Sequence, residues 1–246
     1  YRGAHLYSIT GEPEYQDLAS VTGYISVINK PALVGWATRE ALEGVQRELY
    51  GLLGKNTCAM VELDIDWIDR LLVKARAKPD KTKTDAGDLG TMAHGVADFF
   101  IKNGRLPAEM DPRIKTAVAS FMRWWGSGRE VLAGDTMVAS REHRYGGSYD
   151  ALVREPDGAI ALIDFKTSKS VKYKEYALQV AAYGQAMLET FGVACDRAHI
   201  VKFNKNEPVG FDVATVADMP MSFEAFIHAK ELKTLLSEEH FVRQEG

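Results

Sequence analysis

Cysteine is scarce. Cys58 and Cys195 are the only two in 246 residues, and neither has a partner at CxxC spacing. A zinc site built on cysteine pairs and a four-cysteine iron–sulfur cluster are both excluded within this chain. At most one disulfide is possible, and the usage suits a reducing cytoplasm in which both thiols are buried and inert. Long apolar runs are also missing. None approaches the roughly 20 residues that span a bilayer, so no membrane partner is expected. Tyr1-Arg2-Gly3-Ala4 is followed by polar residues rather than the apolar stretch of a signal peptide. The start at Tyr1 instead of methionine reads as a trimmed N-terminus, and a cytoplasmic location is expected. Positive charge is not in excess: 30 Lys and Arg stand against 34 Asp and Glu, a net charge of −4. A protein that coats DNA without reading it would be basic. An acidic chain still binds nucleic acid where its positive charge is local, or where metal ions screen its carboxylates.

What remains is ordinary globular material. The chain is 46% hydrophobic and 26% charged, which excludes disorder and low-complexity classes. Its length buries a substantial core. Val21 to Ile28 has strand-like composition. Pro31 opens a helical stretch from Ala32 to about Leu53, ending at Gly51 or Gly54. Val61 to Ala77 reads as a second helix, followed by a polar loop from Lys78 to Asp85. Ala86 to Asn103 resumes the helical period, and Pro112 to Trp125 repeats it. After Gly128 the pattern changes. Thr136–Ser140, Tyr149–Val153 and Ala159–Phe165 read as successive strands, with Glu155-Pro156-Asp157-Gly158 as a turn. Tyr176–Phe191 is a helix, Ala198–Phe203 and Val209–Val213 are strands, and Ser222 to about Glu239 is a closing helix. This order predicts one α/β domain over residues 1–246, with a helix-rich N-terminal part (1–85) and a core (86–246).

The informative stretch runs from Glu142 to Tyr183. Asp164 and Lys166 flank Phe165 at the end of an apolar strand, so they point to one face. Asp150 lies fourteen residues earlier, and a hairpin would return it beside Asp164. Two carboxylates and a lysine at the rim of a buried strand are costly to hold together. A divalent cation between the carboxylates makes the arrangement sensible: Mg²⁺ or Mn²⁺ prefers oxygen ligands, and the Phe165 carbonyl is a further one. The combination suits phosphodiester hydrolysis, with Lys166 positioned to orient or deprotonate water or to stabilise developing charge. A single Asp-x-Lys triplet is more often a surface ion pair, so its surroundings carry the weight. Gln179 and Tyr183 stand four residues apart on the helix that follows, hence on one face.

Gly147-x-x-Asp150, Asp164-Phe165-Lys166-Thr167-Ser168 and Gln179-x-x-x-Tyr183 together resemble the PD-(D/E)XK nucleases. The resemblance is closest to the RecB-like exonuclease branch, which includes mitochondrial genome maintenance exonucleases and phage enzymes. Gly90-Thr91-Met92-Ala93-His94 stands where that branch carries an upstream histidine. The resemblance spans about Gly90 to Tyr183. It implies a restriction-endonuclease-like mixed sheet flanked by helices, with Asp150 and Asp164 as catalytic metal ligands and Lys166 as the catalytic lysine. His94 becomes a further ligand or a neighbour of the metal. Gln179 and Tyr183 hold the site or contact DNA. Glu142, eight residues before Asp150, is preferred over Glu130 as an upstream glutamate. Thr167, Ser168 and Lys169 would meet phosphates, with Lys172 and Lys174 beyond them. One departure is Tyr149, where a proline often precedes the first aspartate.

The implied activity is that of a Mg²⁺- or Mn²⁺-dependent DNA exonuclease without an iron–sulfur cluster. Its expected substrate is single-stranded DNA or DNA with free ends, in repair, recombination or phage DNA metabolism, beside recombination or replication proteins. A restriction-type endonuclease shares the fold but needs base-reading insertions, and none is evident. A non-catalytic nucleic-acid-binding module would have no need of every reactive residue type. An unrelated small-molecule enzyme would make the Asp-x-Lys match accidental. The N-terminal helices are expected to wall off one side of a cleft, with Arg70, Lys74, Arg76 and Lys78 at its mouth, so that a strand threads from its end. Trp124 and Trp125 are expected in the core.

Overall fold

In a computed structural model, residues 5–28, 30–53, 65–126 and 128–237 are described. Cys58, Gly54, the first residues of the helix expected from Val61, and the expected end at Glu239 lie outside them. The chain divides into two compact units, one of Tyr1–Ile28 with Met92–Gly246 and one of Asn29–Thr91. The first 28 residues therefore group with the sheet rather than with a helical part ending at residue 85.

Strands β1 (Leu6–Tyr7) and β2 (Leu18–Ala19) form an antiparallel ribbon. It leads into α1 (Val21–Ile25), a short helix where strand-like composition predicts a strand. The reason is local. The Ser20 hydroxyl accepts from the Gly23 amide at 3.0 Å and caps the helix. One turn then places Val21 and Ile25 on a single buried face.

Helix α2 (Pro31–Leu53) and the first part of α3 (Ile65–Asn103) make up the second unit. The loop expected from Lys78 to Asp85 is helical, and α3 runs through Pro79. Contacts with α2 explain this. Lys74 pairs with Glu48 at 3.5 Å and Lys78 with Glu40 at 3.6 Å, while Thr82 donates to Glu40 at 3.2 Å. A Cβ on Gly44 would sit 2.9 Å from Lys78 Cδ. As the position on α3 advances by a turn, its partner on α2 retreats by a turn, which is the register of two antiparallel helices. A polar sequence that could be a loop is helical here because Lys78 and Thr82 both meet Glu40 of α2. Lys74 and Lys78, expected at the mouth of a cleft, are thus paired inside this hairpin.

The other unit is built on one mixed sheet. After a 3₁₀ turn at Pro112–Ile114 come α4 (Lys115–Trp125), β3 (Glu130–Ser140), β4 (Tyr145–Arg154), β5 (Ile160–Lys166), α5 (Lys174–Phe191), β6 (Arg197–Phe203), β7 (Phe211–Thr215) and α6 (Met219–Leu235). The sheet order is β3-β4-β5-β6-β7. Only β5 and β6 pair in parallel, joined by the crossover helix α5. This is the mixed sheet flanked by helices of a restriction-endonuclease-like α/β core. On one face Val180, Ala182, Ala186 and Met187 of α5 and Phe226 of α6 pack with Tyr145, Leu152, Leu162 and Ile200. On the other, Ala97 of α3 with Phe121 and Trp124 of α4 packs on Ala151, Ile163, Phe165, Val201 and Phe203. Leu162 and Ile163 are both fully buried, as a central strand covered on two faces requires.

Candidate active site

The sheet opens where the reactive residues lie. The β4–β5 ladder ends at Ala151 opposite Ile163, and one step further along this register Asp150 stands opposite Asp164. Beyond it β4 stays with β3, from Tyr149 opposite Thr136 to Tyr145 opposite Ser140. β5 stays with β6 through Lys166 opposite Lys202. The Phe165 amide, which loses its β4 partner there, donates to Asp150 Oδ2 at 2.6 Å. The two strands thus part at the two carboxylates, and a side chain takes over where the ladder stops.

Around this fork the structure brings together most of the residues singled out above. Lys166 Nζ pairs with Asp164 Oδ2, and the ammonium lies 4.9 Å from the centre of the Tyr176 ring. His94, on α3, places Nδ1 at 3.4 Å from Asp150 Oδ1, and its ring meets Phe165 edge-on. Asp98, the rival partner for His94 on the same helix, bonds Lys102 instead at 2.9 Å. On α5, Gln179 Nε2 donates to the Tyr183 hydroxyl at 2.8 Å, both side chains buried. Thr167 and Ser168 follow β5 half-buried, with the Ser168 hydroxyl donating to the Ser170 carbonyl at 2.9 Å, and Lys169 is exposed.

Gly147 has its place for a steric reason. A Cβ there would sit 2.3 Å from Cε1 of Tyr183, so only glycine lets the tyrosine ring lie flat on β4. Tyr176 was not singled out from the sequence. It stands three residues before Gln179 and seven before Tyr183, so the helical period already placed it on their face.

Glu142 is not brought to the fork. It lies in the turn between β3 and β4 rather than on a strand, and the five residues Tyr145 to Tyr149 of β4 separate that turn from Asp150. There its amide donates to Glu189 of α5 at 3.3 Å. Glu142, His143 and Glu189 bring possible ligand atoms within 4.8 Å of one another. Glu189, however, already accepts from Ser140 at 2.9 Å and from Gln185 at 3.0 Å. Arg144, beside them, is taken up by the Glu14 carbonyl and the Tyr15 ring.

The electrostatics at the fork are lopsided. Burial, reinforced by the charge of Asp150, pushes the Asp164 carboxyl above its ordinary range even though Lys166 pairs with it. Burial would also raise Asp150, but the His94 hydrogen bond and charge, Lys166 and the Phe165 amide outweigh it and hold it down. Lys166 is held above the usual lysine value, because Asp164 and Asp150 overcome its burial. His94 is raised in the same way by Asp150, against its own burial. Asp164 Oδ2 is closed off from solvent and has no hydrogen bond besides its ion pair. The cluster sets two buried carboxylates, one of them pushed towards protonation, beside one ammonium and one imidazole, so its ligand atoms are oxygens and an imidazole nitrogen. A divalent cation fits that set.

Comparison with known families accords with this geometry. The family model of the PD-(D/E)XK nuclease superfamily matches residues 67–243, well over half of the sequence. The chain belongs to the PD-(D/E)XK nuclease superfamily. Members generally use divalent metals and act on DNA. Among curated proteins none matches. Among solved structures, a candidate exonuclease from Eubacterium rectale superposes with a TM-score of 0.40 at 15% identity, covering 92% of this chain and 88% of its own. The protein SSO0001 gives 0.33 at 12% identity, over 84% of this chain and 87% of its own. Overlaps this loose leave the family assignment resting on the family model. Among the described residues of this PD-(D/E)XK chain, no helix is long and apolar enough to cross a membrane.

Proposed function

We propose that this PD-(D/E)XK chain is a metal-dependent DNA exonuclease that hydrolyses phosphodiester bonds from free ends and favours single-stranded DNA. Its setting would be DNA repair, recombination or phage DNA metabolism in the cytoplasm, beside recombination or replication proteins. The observation that supports it most is the meeting of Asp150, Asp164 and Lys166 where β4 and β5 part, with the Asp164 Oδ2 atom closed off from solvent and bonded by nothing but its ion pair.

Asp150 and Asp164 would hold Mg²⁺ or Mn²⁺, with the Phe165 carbonyl and His94 as further candidates. When bound, the ion supplies Lewis-acid polarisation of the scissile phosphate and activates water. The rest falls to the chain. Lys166 keeps its proton under the influence of two carboxylates, which suits it to stabilise charge developing on phosphate oxygens rather than to act as a base. Tyr176 bounds the ammonium on one side and limits where it can point. Tyr183 is pushed well above the ordinary tyrosine value by burial and by Asp164, so its hydroxyl stays protonated. Gln179, which donates to it, leaves that proton free to be given to a neighbouring acceptor. Thr167, Ser168 and Lys169 follow Lys166 and would meet the flanking phosphates. Glu142 has no part in this reading.

The test compares end-labelled linear and covalently closed circular single-stranded DNA, with Mg²⁺, Mn²⁺ or chelator. Degradation of the linear form alone, abolished by chelator, is expected. Cleavage of the closed circle would turn the reading to an endonuclease, and no cleavage under any condition would remove the catalytic assignment.

A further inference from the structure

Four lysines stand at the carboxyl ends of the two parallel strands β5 and β6, and they divide into two kinds. Lys166 and Lys202 face each other on one rung of the ladder. Each has its own carboxylate: Lys166 pairs with Asp164, and Lys202 with Asp212 at 2.5 Å. Three residues further on, in the loops that follow these strands, come Lys169 and Lys205. The two loops leave neighbouring parallel strands at the same end, so both lysines lie at that edge of the sheet. Among the described residues neither has a carboxylate partner. The acids nearest in the chain are engaged elsewhere. Asp212 is taken by Lys202, and Glu207 accepts from the Val209 amide at 3.0 Å and from Thr116 at 3.4 Å. Lys205 is half-buried all the same. Its burial and the neighbouring Lys169 ammonium together hold it below the ordinary lysine range, so the two cations feel each other. Two adjacent ammonium groups, one of them partly desolvated and neither neutralised, form an arrangement that an anion would relieve.

We infer that Lys169 and Lys205 form a phosphate clamp, one ammonium from the end of each parallel strand, which grips the backbone of a DNA strand next to the scissile position. This rests on the nuclease reading above and extends it. That reading places Lys169 near phosphates, whereas the clamp adds Lys205, a residue from the β6–β7 loop, and makes the pair the unit. An ammonium is a point charge that accepts any base sequence, so the clamp secures position without selecting sequence.

The full chain is tested in chelator, where binding is read without turnover, with a fluorescent oligothymidylate as the probe. Lys169→Gln, Lys205→Gln and the double variant are compared with Lys233→Gln, an exposed lysine of α6. Thermal melting confirms that each variant is folded. The slope of log affinity against log salt should shrink by about 1.4 in the double variant, at roughly 0.7 for each single-strand phosphate contact, and stay unchanged in the control. With Mg²⁺ or Mn²⁺ restored, the double variant should raise KM and leave kcat nearly intact, as loss of uniform binding does. An unchanged slope in a double variant whose parent binds the probe overturns the clamp and leaves the nuclease reading standing. A parent chain that neither binds the probe nor cleaves DNA overturns both.

Discussion

At the scale of single residues, the site depends on a few side chains that are expensive to hold. Asp164 is buried and, despite Lys166, pushed towards protonation, a strain that a bound divalent cation would relieve. Asp164→Asn should abolish metal-dependent cleavage while leaving DNA affinity in chelator largely as it was, because the substitution removes a metal ligand and not a phosphate contact. Near-normal turnover would take Asp164 out of the site. Gly147 is a residue of a different kind, needed for what it lacks. Gly147→Ala drives a methyl group into the buried Tyr183 ring, which the Gln179 hydrogen bond holds in place. It should cost about 1–3 kcal/mol in chemical denaturation. It should also depress kcat, since Tyr183 lies beside the carboxylates. Unaltered stability would mean that α5 moves freely away from β4.

At the scale of elements, two features stand out. The fork between β4 and β5 is produced by the end of one ladder, and the Asp150 carboxylate satisfies the Phe165 amide left over. The long helix α3 carries a proline in its interior. Pro79 has no N–H to give the Ala75 carbonyl one turn back, so that helical bond is missing. Pro79→Ala supplies the donor and should stabilise the α2–α3 hairpin by about 1–3 kcal/mol, read as a higher urea midpoint at unchanged slope. A lower midpoint would show that the fixed backbone angle of Pro79 favours the pairing of α3 with α2. The pairs Lys74–Glu48 and Lys78–Glu40 hold the same two helices together, but the first is exposed and adds little.

At the scale of the sheet unit, a second charged cluster ties the turn between β4 and β5 to the strands that follow. Glu155 accepts from Arg197 at 2.7 Å and lies 3.3 Å from His199 and 3.7 Å from Arg129, while Arg197 also donates to Asp157 at 2.7 Å. Burial alone would raise Glu155, but Arg197, His199 and Arg129 outweigh it and hold it below the ordinary glutamate value. A carboxyl depressed on folding stabilises the native state above its unfolded pKa. That contribution is lost as pH falls through the native one. Glu155→Gln should therefore cost about 1 kcal/mol near neutral pH, because the Arg197 partner is partly exposed and keeps Asp157. The gap between variant and parent should close as pH falls below about 4. A gap that persisted at low pH would assign the loss to packing rather than to charge.

The sequence by itself determined the parts that local chemistry writes. A continuous apolar run specified β5, and Pro31 with the helical period specified α2. Asp150, Asp164, Lys166, Gln179 and Tyr183 were legible because strand and helix periods fix which side chains share a face. Where competing local readings were close in energy, only the tertiary structure decided. Val21–Ile25 is helical because a capped turn buries both apolar residues together. Lys78–Asp85 is helical because α2 supplies partners for its polar side chains. Glu142 fell outside the fork because the position of the hairpin turn, not the distance along the chain, sets which residues the strands carry to the site. Lys205 was invisible for a related reason. Its neighbour Lys169 lies 36 positions away, and nothing but the parallel pairing of β5 with β6 brings the two to one edge.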